Sequence, residues 1–196
     1  MINTQLNLSN MMMPDEYLKQ YTRQYKPIHD DELASYKEPL EGDLAHDIVF
    51  GHRLKGINRE VLMNNEHQYR SRKNTKKLLV EKVSALLDSG KKYTSFEDIY
   101  SDVSSMIVRG RPLTHLMAYD ISLRIGARID VFPHEFVYLH AGALDGAKKL
   151  KDKYYPELPI RTPRIESAKI KEVVTEFKEF SAYDIEHFLC VFHKQF

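Results

Sequence analysis

The side chains best suited to chemistry in this chain are lysines and arginines, and they concentrate in its middle. Residues 70–92 contain eight basic and two acidic residues, a local balance of +6, whereas residues 1–50 contain four basic and nine acidic residues. Clustered cations attract phosphates even when the whole chain is nearly neutral. The alternative is an ordinary solvated helix face. We expect phosphate or nucleic-acid contacts from the basic residues that open this region, Arg70, Arg72, Lys73, Lys76 and Lys77.

A glycine flanked by two arginines lies between two predicted helices, in the segment IVRGRPLT at residues 107–114. Over residues 95–126 this arrangement resembles the helix-hairpin-helix module of DNA-binding and repair proteins. In that family a glycine-containing hairpin lets backbone N–H groups at a helix start approach a phosphate closely. The resemblance implies phosphate or nucleic-acid contacts at Arg109, Gly110, Arg111 and Thr114.

The segment departs from that family because it has one glycine, Gly110, where the family has two glycines separated by one apolar residue. Arg111 is charged, and Pro112 lacks the backbone N–H donor that a phosphate would require. The alternative is purely structural. Gly110 would then form a left-handed turn and Pro112 would start the next helix, as happens wherever two antiparallel helices pack together.

The densest group of polar residues follows this turn. Tyr119, Asp120 and Arg124 share the next predicted helix, and His140 lies farther along the chain near a second glycine. Hydroxyl, carboxylate, guanidinium and imidazole groups together could bind a polar ligand, so we predict a possible polar site from these four residues. The alternative is an i,i+4 ion pair between Asp120 and Arg124 that only supports the helix.

Nine histidines raise the question of a metal site. The adjacent His46 and Asp47 resemble the paired ligands of the HD phosphohydrolase family, in which a separate histidine and a distant aspartate complete a divalent cation site. The resemblance implies His29 and Asp120 as the remaining ligands, and a metal-dependent phosphohydrolase as one alternative function. The other interpretation is an ordinary exposed pair on a short helix.

Other motifs predict neither a catalytic residue nor a cofactor. The sequence contains no Walker loop, nucleophile elbow or dinucleotide-binding fingerprint. Its single cysteine, Cys190, lies between apolar residues and is expected to be a small buried hydrophobe rather than a nucleophile. The motifs therefore do not favour a conventional enzyme.

The composition is that of a soluble globular protein and excludes a fibrous or wholly disordered one. The chain has 196 residues, 42% of them hydrophobic, and a formal net charge of +1. One cysteine excludes an intramolecular disulfide. Apolar runs fall short of the roughly 20 residues that span a membrane, and the N-terminus lacks the order of a signal peptide. We therefore expect a cytoplasmic protein without a membrane partner.

Helical periodicity predicts an all-α fold, a compact multi-helix bundle with a C-terminal helical hairpin. A first helix is expected from Pro14 until Pro27 stops it, and no segment has a convincing strand pattern. Ser95 and Ser181, each with an aspartate three residues later, predict capped helix starts. Further helices are predicted at 30–36, 41–50, 74–88, 95–107, 113–126, 133–139, 143–151, 170–177 and 181–192.

Prolines at 156, 159 and 163 exclude a helix there and mark a connector in the chain. The predicted organisation is a flexible lead-in at 1–13, a helical domain at 14–155, the connector at 156–165 and a helical hairpin at 166–196, packed on the helical domain. These patterns favour a helical binding protein that contacts nucleic acid through the basic helix and the inter-helix turn. The alternative from another class is a protein-interaction or self-association module, with a protein or homo-oligomer partner.

Overall fold

The structure is a computed structural model that describes residues 13–37, 43–51, 73–107 and 114–196, with the backbone alone at 73–76 and 114. These residues are mainly helical, which confirms the predicted fold class, and they include one small two-stranded sheet. They form two compact units. The first unit contains residues 13–23 and 135–196, and the second unit contains the described residues between 24 and 134. The predicted division at the proline-rich connector stays a prediction.

Helices make up most of the described elements. In chain order the elements are α1 (Asp15–Gln20), a π-helical turn (Tyr21–Tyr25), α2 (Lys26–Ser35), α3 (Leu44–Phe50), α4 (Lys73–Asp88), α5 (Phe96–Met106), α6 (Thr114–Arg128), β1 (Phe136–Tyr138), α7 (Ala141–Lys153), β2 (Arg164–Glu166), α8 (Ser167–Val173), a 3₁₀ turn (Thr175–Phe177) and α9 (Ala182–Phe192). Within the described ranges, none of these helices combines the length and the apolar character needed to cross a membrane.

The segment that follows Pro133 is a strand, so the helix predicted at 133–139 is wrong, as is the expectation of no strand. β1 pairs antiparallel with β2, which places Val137 opposite Ile165, and both side chains are buried. Aromatic and β-branched residues suit such a pleated, half-buried surface. The partner strand lies more than 20 residues farther along the chain, so no local pattern could reveal the pairing.

The first predicted helix does not stop at Pro27. The π-helical turn follows α1, and α2 then begins at Lys26 with Pro27 in its first turn. Proline is tolerated at that position because the first N–H groups of a helix have no partner within the helix. The predicted break is therefore wrong, and α2 starts earlier than the helix predicted at 30–36.

The second unit is organised around α6, which is buried along most of its length and packs against α2, α3 and α5. α5 buries Phe96, Ile99 and Val103, the apolar stripe that the sequence predicts. Its start is capped as predicted, because the Ser95 hydroxyl accepts a hydrogen bond from the Asp98 backbone N–H at 3.2 Å. The local sequence thus fixes this helix, and its apolar face fixes the contact with α6.

The first unit is organised around α9, which packs against α7 and β1. Its aromatic side chains form a continuous cluster: the Phe188 ring lies 5.2 Å from that of Phe177, and the Phe192 ring lies 5.3 Å from that of Tyr17 in α1. Such tilted and edge-on ring pairs add to the stabilisation that burial already gives. The predicted C-terminal helix pair is present, and its first helix, α8, ends at Val173.

The start of α9 gives a first test of the fold. Ser181 and Asp184 form a full capping box, in which each side chain bonds the other residue's backbone N–H. Replacing Ser181 with alanine should lower the free energy of unfolding by about 1 kcal/mol, a fall in Tm of roughly 2–4 °C, measurable by circular dichroism. Ser105→Ala, an exposed position in α5, is the control and should change stability by less than about 0.5 kcal/mol. Equal effects of both changes would contradict the capping role.

Candidate nucleic-acid interface

α4 carries the described part of the basic cluster. Lys73 and Lys76 lie in its first turn, and the Lys77 side chain is exposed to solvent. Leu79 and Val83 are buried on the opposite side, as the predicted amphipathic pattern requires. Lys77 therefore lies on the part of the helix that faces water. Arg70 and Arg72, which precede α4 in the sequence, lie outside the described residues.

The predicted inter-helix turn is bounded by α5 and α6. α5 ends at Met106 and α6 begins at Thr114, in agreement with the helix ends predicted from the sequence. The contacts predicted for Arg109, Gly110 and Arg111 stay predictions, because these residues lie outside the described ranges. The two helices pack against each other through a ring contact: Phe96 lies edge-on to Tyr119, with ring centroids 5.8 Å apart.

One lysine joins α4 to the helix that leads into this turn. The Nζ atom of Lys82 donates a hydrogen bond to the backbone carbonyl oxygen of Met106 at 3.0 Å, in a partly buried position. Met106 is the last residue of α5, where carbonyl groups have no partner within the helix and the helix dipole is negative. The ammonium group therefore satisfies a carbonyl at the C-terminal end of α5.

Lys91, in the link between α4 and α5, is bonded to a carboxylate of the same unit. Lys91 and the Tyr93 hydroxyl both bond the Asp102 carboxylate, the tyrosine at 2.7 Å. The hydrogen bond from Lys91, followed by the one from Tyr93, lowers the pKa of the Asp102 carboxyl below its ordinary value. Lys91 is thus balanced by a carboxylate, and both it and Lys92 beside it are exposed to solvent.

Arg124 of the predicted polar site is buried in the second unit, with 4% of its surface exposed. Its Nη1 atom donates to the carbonyl oxygen of Ile48 in α3 at 2.9 Å, and its Nη2 atom lies 3.9 Å from the Glu32 carboxylate of α2. Burial acts to lower the pKa of this guanidinium, but Tyr36, Asp120 and Glu32 outweigh it and raise the pKa. The guanidinium joins three helices.

The other predicted members of the polar site belong to both units. Tyr119 is buried in α6, and Asp120 of the same helix contributes electrostatically to the raised pKa of Arg124. His140 belongs to the first unit, where its Nδ1 atom lies 3.8 Å from the Glu186 carboxylate and 7% of its surface is exposed. Three of the four predicted residues therefore belong to the second unit and one to the first, and the polar site stays a prediction.

The four residues of the metal alternative, His29, His46, Asp47 and Asp120, do not form a metal-ligand group. His46 stacks on Phe50 within α3, with ring centroids 4.3 Å apart, and lies 3.8 Å from the adjacent Asp47. Across residues 13–37, 43–51, 73–107 and 114–196, no group of three or more His, Cys, Asp or Glu side chains is placed to hold a metal ion.

Sequence reasoning missed the contacts that fix the basic helix and the buried arginine. The bond from Lys82 to Met106 involves a backbone acceptor 24 residues away, and Glu32 meets Arg124 across two helices. No local sequence pattern marks Met106 or Glu32 as the acceptor in these contacts. Glu32 stands in a run of acidic residues that is typical of an exposed turn or helix end. Comparison with known proteins gives no further guide: no family model, no curated protein and no solved structure matches the chain.

Proposed function

We propose that this protein binds nucleic acid through its phosphates, using the basic start of α4 and the arginines of the turn between α5 and α6. Eight residues of the sequence, 70–77, contain five cations and no acidic group. Lysine and arginine at this density bind phosphate backbones largely without regard to sequence. The proposal therefore concerns a sequence-independent contact in the first place.

The observation that carries the proposal is the hydrogen bond from Lys82 to Met106. It brings the middle of α4 to the end of α5, and Arg109 follows Met106 by only three residues in the sequence. Lys77 stands five residues before Lys82 in α4, a helical rise of about 7.5 Å. This contact supports the proposal that two groups of cations, distant in the sequence, act on the same phosphate backbone.

The distribution of acidic residues supports the proposed phosphate contact at residues 70–77. Glu97 and Asp98 lie in the first turn of α5, and Asp102, farther along the helix, balances Lys91. The run at residues 70–77 has no acidic residue within it. Because exposed charges are screened beyond about 10 Å at moderate salt, a phosphate would respond to the local cations and not to the net charge of the chain.

Replacing Lys76 and Lys77 together with alanine tests this assignment. Each phosphate contact that is lost should reduce the slope of log Kobs against log[NaCl] by about 0.9, so the double variant should lose about 1.8. The measurement is fluorescence anisotropy of a short labelled DNA duplex, titrated at several salt concentrations between about 50 and 200 mM.

A matched control removes the same charge from the first unit. Lys148 and Lys178 are exposed there, and their double alanine variant should keep the wild-type salt dependence. Equal losses of slope in the two double variants would mean that overall charge, and not the start of α4, determines binding. Circular dichroism of both variants checks that they remain folded.

A further inference from the structure

Lys82 and Lys77 of α4 hold their ammonium groups in different environments. Its ammonium group is partly buried and donates to the Met106 carbonyl, whereas the Lys77 side chain is exposed on the same helix. A cation at the C-terminal end of a helix is stabilised by the negative end of the dipole and by the unpaired carbonyl groups. Two lysines that look alike in the sequence are therefore in different electrostatic environments.

We infer that Lys82 is a positioning residue for the proposed nucleic-acid site: it holds α4 at the end of α5 and does not itself contact a phosphate. This inference rests on the proposed function. A phosphate contact would require the ammonium group to leave the carbonyl and lose a charge-assisted hydrogen bond, which contributes about twice as much as a neutral one. The exposed Lys77 has no such bond to give up among the contacts of the described residues.

The two roles predict different salt dependences. A lysine that contacts a phosphate contributes about 0.9 to the slope of log Kobs against log[salt], because its binding releases a condensed counterion. A positioning residue changes the affinity by a similar factor at every salt concentration and leaves the slope unchanged. The salt titration therefore separates the two roles even when both variants bind more weakly.

The experiment compares Lys82→Met with Lys77→Met in the full chain, using a labelled DNA duplex. Lys82→Met should weaken binding by about two- to thirtyfold, the range typical of residues that act on a site without touching its ligand, with the wild-type slope. Lys77→Met should reduce the slope by about 0.9. Lys82→Arg keeps a charged donor and should recover the affinity to within about twofold of wild type.

The outcomes are distinguishable. A slope reduced by about 0.9 in Lys82→Met, or an affinity equal to that of wild type, would overturn the positioning role. Failure of Lys82→Arg to recover the affinity would overturn it as well. If Lys82→Met does not fold, Lys82→Gln carries the same expectation of an unchanged slope. Absence of binding by the wild-type protein would refute the proposed function instead.

Discussion

Replacing Gly146 with alanine is expected to destabilise the protein by about 3 kcal/mol, although alanine favours helices more than glycine does. Gly146 lies inside α7, where a Cβ atom would stand 2.2 Å from the carbonyl oxygen of Leu189 in α9. The obstacle is backbone, so it cannot rotate away, and the two helices would have to separate. Thermal unfolding followed by circular dichroism should show a fall in Tm of roughly 6–12 °C.

Gly142→Ala is the matched control, because it makes the same change in the first turn of the same helix. Its Cβ atom would meet the Cys190 Sγ atom at 2.9 Å, and a side-chain sulfur can move by rotation. We expect this variant to lose less than half as much stability as Gly146→Ala. Helix propensity alone predicts a gain of about 1 kcal/mol at Gly146, so a raised Tm there would contradict the close packing of α7 on α9.

Replacing Arg124 with methionine is expected to cost about 3–5 kcal/mol of the free energy of unfolding. The change removes the hydrogen bond to Ile48 and leaves the Glu32 carboxylate buried without the guanidinium that lies 3.9 Å away. Loss of the attraction between the guanidinium and a buried carboxylate is the main source of this cost, since methionine keeps most of the side-chain volume. Urea denaturation measures the loss.

Two further variants show whether the cost arises from the buried charge. Arg128→Met removes a half-buried arginine of the same helix that donates to the Tyr36 carbonyl at 3.3 Å, and it should cost about 1 kcal/mol. The double change Arg124→Met with Glu32→Met should be less destabilising than the sum of the two single changes. Strict additivity, or a loss below about 1 kcal/mol for Arg124→Met alone, would contradict a structural pair.

The features that the sequence predicts correctly are those that depend on neighbouring residues. Ser95 with Asp98 and Ser181 with Asp184 mark helix starts because the capping side chain and its partner are three residues apart. The buried stripe of α5 is equally local. The strands could not be predicted in this way, because β1 is only three residues long and its partner, β2, follows after α7.

The candidate interface likewise has a part that neighbouring residues predict and a part that depends on distant residues. A run of lysines on an amphipathic helix is visible in the sequence, but the choice between Lys77 and Lys82 as the solvent-facing cation depends on Met106, which is distant in the sequence. The environment of Arg124 also depends on residues that are distant in the sequence. Its spacing from Asp120 predicts a contact within one helix, but it does not predict the burial of Arg124 against α2 and α3. Burial by remote elements is not encoded in the spacing of charges along one helix.

The salt dependence of nucleic-acid binding by the wild-type chain tests the central claim most directly. If four to seven of the cations at residues 70–77 and at Arg109 and Arg111 contact phosphates, log Kobs for a DNA duplex should fall with log[NaCl] with a slope between about −3.6 and −6.3. Such a slope, measured by anisotropy between about 50 and 200 mM NaCl, is the predicted result. A slope near zero, or no binding at the lowest salt concentration, would contradict the account.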